Sequence, residues 1–339
     1  YQLHALSRGL FDDQGQAEAA RRAGELLDAT DDPLVQRAGA LTLTRIRRET
    51  QLDAADAELV KVVALRQATG DTEGQLGALQ ERAALLLELE RVDDALDVAG
   101  QLVDLHGASG DREAEQAGLE ALVELLVGYG HIDRAATLCN DALFRANGRG
   151  QIRAAAAVRG LMALVLAAMG QVDEGVAEAR AALQAAEKEG YRPLVASVQS
   201  RLGRVLLHAG AFSEAREVLL EAMNTQILTR GRAEQATTLQ ALAAAEERLG
   251  DGPAAAQHLA KAGRLLMELG DVSGAVGTLH EALERYDDLD LHEEGSRVGT
   301  FLVGLSASFP PAEQLRVLHG QGTRLARAGR LDDAAEAFR

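Results

Sequence analysis

The chain has no tryptophan, one cysteine, five prolines, six phenylalanines and four tyrosines in 339 residues. A single thiol excludes an internal disulfide framework and a cysteine-rich zinc site, and it predicts a reducing, cytoplasmic setting. So few aromatics and prolines, set against abundant Ala and Leu, leave little strand-forming material and predict an all-α protein. The longest apolar run, Leu161–Met169, is about half of what a bilayer crossing needs, so no transmembrane helix and no membrane partner is expected. No charged leader and apolar stretch open the chain, which predicts no secretory signal; residue 1 is Tyr rather than Met, so the natural N-terminus is expected upstream. The net charge of −17, from 35 Lys+Arg against 52 Asp+Glu, repels phosphate backbones and anionic lipid, and no nucleic-acid partner is expected for this segment. What remains, 47% hydrophobic and 26% charged residues, suffices for a substantial core and excludes a disordered chain.

What the chain does have is self-similarity. Gly130, Gly170, Gly210 and Gly250 stand forty residues apart, with Glu90 and Asp290 in the same register. Gly70, Gly110, Gly150, Gly190 and Gly270 form an interleaved series whose gap is filled by Arg230. Five residues past each position of the first series stands a small residue: Ala55, Ala95, Ala135, Gly175, Ala215, Ala255 and Gly295. Each period holds two apolar-striped segments of about 16–18 residues, each enough for roughly 25 Å of helix. Glycine at the boundaries supplies the left-handed conformation that ends a helix. The Asp that follows in Gly70-Asp71, Gly110-Asp111 and Gly270-Asp271 suits the next N-cap. Turns this short make consecutive helices antiparallel neighbours.

The second helix of each pair carries its small residue and, seven positions later, Leu102, Ala142, Ala182, Ala222, Ala262 or Leu302. The first helix supplies larger knobs at Leu79, Leu86, Leu119, Leu126, Leu166, Leu202, Leu206, Leu239 and Tyr286. Large against small is how stacked helices interdigitate. A further apolar anchor is expected between the helices of a pair at Leu52, Val92, Ile132, Val172 and Phe212, replaced by Gly252 and His292 toward the C-terminus.

The spacings Leu119–Leu122–Val123–Leu126–Ala135–Cys139–Ala142 and Gln199–Leu202–Gly203–Leu206–Ala215–Leu219–Ala222 resemble the tetratricopeptide repeat pattern, as do the turns at 130–135, 210–215 and 329–334. The likeness spans essentially the whole chain, with a period of forty rather than thirty-four and Leu in place of most aromatics. In period and composition it is similar to the long-repeat arrays of bacterial regulators of the MalT, Rap and antibiotic-regulator types. The resemblance implies a right-handed α-solenoid of antiparallel helical hairpins, a TPR-like superhelix of about eight repeats forming one domain over 1–339. The units are a partial hairpin at 1–30, then 31–70, 71–110, 111–150, 151–190, 191–230, 231–270 and 271–310, with a truncated one at 311–339. Phe309-Pro310-Pro311 predicts a break before the last unit. Both ends fall within repeats, so the chain is expected to be a piece of something longer.

There is no phosphate-cradling Gly-Lys-Ser/Thr loop, and Gly320-Gln-Gly322 lacks the third glycine of a dinucleotide fingerprint. The eight histidines never fall in the His-Glu-x-x-His spacing of a helical zinc site. His280 and Glu284 share a helix face, where a solvated polar surface outweighs an acid–base pair. Cys139 occupies a core position of the repeat and reads as a small apolar residue. The pairs Asp93-Asp94, Asp287-Asp288 and Asp332-Asp333 read as helix-end charges. No enzyme, no cofactor and no metal is expected.

The resemblance further implies that first helices line a concave groove. Its lining offsets fall on Ser197, Thr237 and Gly277; on Ser200, Gln240 and His280; on Arg204, Ala244 and Glu284; and on His208, Arg248 and Asp288. Three zones follow: a basic end with Arg37, Arg47 and Arg48; a small apolar middle at Ala157, Gly160, Leu164, Ala167 and Ala168; then a polar cluster. That cluster comprises Ser197, Ser200, Arg204, His208, Gln240, Glu247 and Arg248, and it passes into an acidic end at Glu284, Asp287 and Asp288. Arg204, His208, Gln240 and Arg248 are the expected anchors of a protein or peptide partner. The Lys/Asn carboxylate clamp of chaperone-binding repeats has no counterpart here, since Asn occurs only at 140, 147 and 224, all in second helices. The expected function is a protein-binding scaffold. The alternative is a sensor or regulatory segment of a larger bacterial signalling protein or transcription regulator, acting through ligand binding, self-association or neighbouring domains.

Overall fold

The architecture comes from a computed structural model, which describes residue 25 and residues 52–89, 91–108, 112–269, 271–305 and 311–337. Among the described residues from 52 onward there are fifteen helices and no strand. They are α1 (Leu52–Ala68), α2 (Thr72–Glu88), α3 (Val92–Ala108), α4 (Arg112–Gly128), α5 (Ile132–Gly148), α6 (Ile152–Ala168), α7 (Val172–Glu189) and α8 (Arg192–His208). Then follow α9 (Phe212–Thr229), α10 (Arg232–Leu249), α11 (Gly252–Glu268), α12 (Val272–Asp288), α13 (His292–Leu305), α14 (Pro311–Arg327) and α15 (Leu331–Ala337). The all-α expectation holds, and so does the period. First helices open at 72, 112, 152, 192, 232 and 272, second helices at 52, 92, 132, 172, 212, 252 and 292.

The turns work as the glycine spacing predicts. Gly130, Gly150, Gly170, Gly190, Gly210 and Gly250 all have left-handed φ, between 63° and 85°. At the Gly210 turn the Gly210 N–H donates to Leu207 O (3.1 Å) and the Ala211 N–H to Leu206 O (3.0 Å), closing two otherwise orphaned carbonyls. Where glycine is missing the geometry persists, with Arg230 at φ 60° and Asp290 at φ 55°. The Asp71 and Asp271 carboxylates each accept from the backbone N–H three residues on, Gly74 and Gly274, at 3.0 and 2.9 Å, and so start α2 and α12. Helix α13 ends at Leu305 and α14 opens on Pro311, whose missing N–H costs nothing at the first helical position.

The backbone falls into two compact units, residues 1–131 with 308–313 and residues 132–307 with 314–339. In the first, α1, α2, α3 and α4 pack in sequence. Ala55, Leu59 and Leu85 form a buried cluster beside the buried Asp56 carboxylate, which accepts from Arg82 (2.6 Å) and Arg91 (3.0 Å). In the second, each helix from α5 to α13 packs on the next. There α6 also packs on α8, and α8 on α10, whereas α7, α9 and α11 make no comparable contact with one another among the described residues. First helices closer together than second helices mean that this stack curves with the first helices on its inner side.

The small columns are where the helices touch. Ala55, Ala95, Ala135, Gly175, Ala215, Ala255 and Gly295 are all buried, and of the larger knobs only Leu166 is half-buried rather than buried. Leu219 fills the space that a Cβ on Gly203 would take. The anchors behave differently. Val92, Ile132, Val172, Phe212 and His292 are only half-buried, because each stands at the exposed start of a second helix. The side chain of Leu52 lies outside the described residues.

Candidate functional site

Helices α8 and α10 are successive first helices on the inner side of the second unit. Pro193 opens α8 and the left-handed Gly210 turn closes it, which fixes the register that places Arg204 and His208 one turn apart. On α10, Gln240, Ala244 and Arg248 follow at the same one-turn spacing. An open groove of about 410 Å³ lies between them, lined by Arg204, Leu207 and His208 of α8, Phe212 of α9, and Thr237, Gln240, Ala241, Ala244 and Arg248 of α10. The four side chains expected to anchor a partner therefore line one groove.

The groove lining combines two guanidinium groups, Arg204 and Arg248, with the apolar side chains of Leu207, Phe212, Ala241 and Ala244. The Arg248 guanidinium carbon lies 5.7 Å from the centroid of the Phe212 ring, within cation–π range. The Gln240 amide donates to the Thr278 hydroxyl at 3.0 Å, which pins it while leaving it exposed. Among the described residues no carboxylate lines the groove. Glu247, adjacent in sequence, instead accepts from Arg285 Nη2 at 3.0 Å.

The other expected residues are dispersed. Ser200 is buried and its hydroxyl pairs with that of Thr238 at 2.8 Å, so it joins α8 to α10 instead of facing a partner. Ser197 is half-buried on α8, while His280, half-buried, and Glu284, exposed, stand on α12; none of these lines the groove. Arg37, Arg47 and Arg48 lie outside the described residues. The acidic end is partly neutralised, because Asp287 accepts from Arg324 of α14 through both oxygens at 2.7–3.0 Å.

The small apolar middle is not an open surface. Ala157, Gly160, Leu164 and Ala167 are buried. The Arg201 side chain of α8 lies across the first two: its guanidinium reaches Ala157 O at 3.5 Å, and its Cδ stands 3.3 Å from where a Gly160 Cβ would be. Small residues there make room for the chain's own arginine. Cys139 is fully buried and burial pushes its thiol up to about 12, against a weaker opposing pull from Arg201, so it is no nucleophile at neutral pH. Among the described residues no three His, Cys, Asp or Glu side chains converge as a metal site would need, and no helix is long and apolar enough to cross a membrane.

Sequence reasoning missed Leu207, Ala241 and Phe212 as lining residues. A signal existed for Phe212: it is the one phenylalanine in an anchor register that otherwise holds Leu, Val, Ile, Gly and His.

Comparison with known proteins bears on this part of the chain. The tetratricopeptide repeat family model matches residues 153–227. No curated protein sequence matches. Among solved structures, the chain is similar to the apo form of the quorum sensor NprR from B. thuringiensis, at 15% identity over 100% of this chain and 95% of that one, with a TM-score of 0.43. It is also similar to a signal transduction ATPase with a tetratricopeptide repeat sensor from Pyrococcus horikoshii, at 11% identity, covering 95% of this chain and 52% of that one, with a TM-score of 0.48. A putative kinesin light chain from Podosopora anserina shares 20% identity over 53% of this chain and 89% of its own, with a TM-score of 0.41. The matched residues, 153–227, span the hairpins α6–α7 and α8–α9, and the second of these supplies Arg204, Leu207, His208 and Phe212 to the groove.

Proposed function

We propose that the chain is a non-catalytic scaffold that binds a protein or peptide along the inner side of its first helices, anchored by Arg204, His208, Gln240 and Arg248. One observation carries this: side chains from two successive hairpins, placed by the forty-residue register, line a single open groove with an apolar wall. The guanidinium groups offer directed hydrogen bonds, and Leu207 and Phe212 offer apolar area beside them. Tetratricopeptide repeats in this part of the chain support the same use.

Displayed random 12-residue peptides, selected on the immobilised chain, test it. Retained peptides should bind the Arg204→Ala/Arg248→Ala variant at least tenfold more weakly. Recovery of no peptide, or only of peptides that bind both forms equally, removes the groove as the binding surface.

A further inference from the structure

We infer that the groove selects an acidic side chain, Asp or Glu, within the bound segment, and this rests on the proposed peptide-binding role of the groove. The chain as a whole carries a net charge of −17, yet among the described residues no carboxylate lines this surface. Elsewhere in the second unit four arginines pair with carboxylates of other helices: Arg180 with Glu214, Arg232 with Glu268, Arg285 with Glu247 and Arg324 with Asp287, all at 2.6–3.0 Å. Arg248 is not among them: like Arg264 over Phe301, it stands over an aromatic ring, that of Phe212.

The geometry gives that arginine a specific task. The Arg248 guanidinium stands over the Phe212 ring, 5.7 Å from its centroid, a contact that uses its charge and leaves its N–H groups as hydrogen-bond donors. A planar carboxylate matches those donors in a two-bond fork, and no neutral amide can do so with the same charge assistance. Arg204 and His208 face it across the groove from α8, and Gln240 adds a donor from α10. Leu207, Ala241 and Ala244 line the walls between them, where methylene groups next to the acid would lie. An open groove passes a chain through, so the acid is placed inside the segment and not at its end.

The test uses the peptides retained in the selection, made as free molecules in two sets, with a C-terminal acid or a C-terminal amide. Each set carries single Glu→Gln or Asp→Asn replacements, and binding is measured by fluorescence anisotropy at low and high salt. One acidic residue should prove necessary. Its replacement should weaken binding to the wild-type chain at least tenfold and to the Arg204→Ala/Arg248→Ala variant less than twofold, while amidation changes nothing. Circular dichroism of the variant should match the wild type, since Arg248 is exposed and Arg204 half-buried. Selected peptides without an essential acid, or loss of binding on amidation alone, overturn the inference. If such peptides still lose affinity to the double variant, the scaffold role stands without it. Recovery of no peptide overturns both.

Discussion

A methyl group added at Gly175 would stand 2.8 Å from the carbonyl oxygen of Ala163 and 3.3 Å from the backbone N of Ala167. Neither is the movable end of a side chain, so α6 and α7 would have to separate. Overpacking of this kind costs about 1–3 kcal/mol, which exceeds the roughly 1 kcal/mol of helix propensity that Gly→Ala gains. Gly277, also inside a helix, has nothing within 4 Å of the same added group. Gly175→Ala should therefore lower the urea midpoint while Gly277→Ala raises it, and equal shifts would mean that α6 and α7 are less close than described. The same contrast holds for larger groups. Ala215 is fully buried against Leu202 and Leu206, and Ala177 is exposed. Ala215→Leu should cost about 1–3 kcal/mol and Ala177→Leu close to none, as measured by thermal unfolding. The small-residue column was legible from its period alone. Which glycine is pressed by a backbone and which faces solvent was not, because both letters give the same absence of a side chain.

For the helices and turns, the informative positions are those that break the ladder. Arg230 holds a left-handed φ of 60° in a register where Gly150 and Gly190 stand. A side chain there costs about 1–2 kcal/mol, and the extra freedom glycine brings to the unfolded chain returns part of that. Arg230→Gly should stabilise the α9–α10 turn by about 0.5–1 kcal/mol in chemical unfolding; a loss would show that Arg230 is needed for something other than the turn. Helix α11 adds a pH effect. Burial lowers the pKa of His258, Lys261 lowers it further, and Asp251 opposes both. The folded form thus prefers the neutral imidazole. Below about 6.5 the unfolded chain takes up the extra proton, so stability is full above that pH and falls as the pH drops toward the folded value. His258→Gln should flatten the stability profile below about pH 6.5, as followed by chemical unfolding across a pH series. Helix bounds and turn chemistry were readable because glycine spacing and Asp caps act within a few residues. The groove was readable only in part: offsets placed Arg204 and Arg248 on one face, but not that Thr238 would draw Ser200 inward, nor that Arg201 would fill the space beside Gly160.

At the scale of the molecule, the helices from α1 to α4 and those from α5 to α13 are held mainly by their neighbours in sequence, and the backbone divides into two compact units. In such an array no single core ties distant repeats together, so stability is a sum of repeat and nearest-neighbour contributions. Native-state hydrogen exchange in rising urea should show amides of α1–α3 and of α6–α10 losing protection at separate concentrations, and a single shared transition would mean that the repeats are coupled far more strongly than their contacts imply. A bound ligand sharpens the experiment. A peptide held between α8 and α10 at a hundred times its dissociation constant adds about 2.7 kcal/mol to whatever opening exposes its site. That gain should appear in the amides of α8–α10 and be absent from those of α1–α3. Protection spread evenly over both sets would place the ligand, or the cooperativity, somewhere other than this groove.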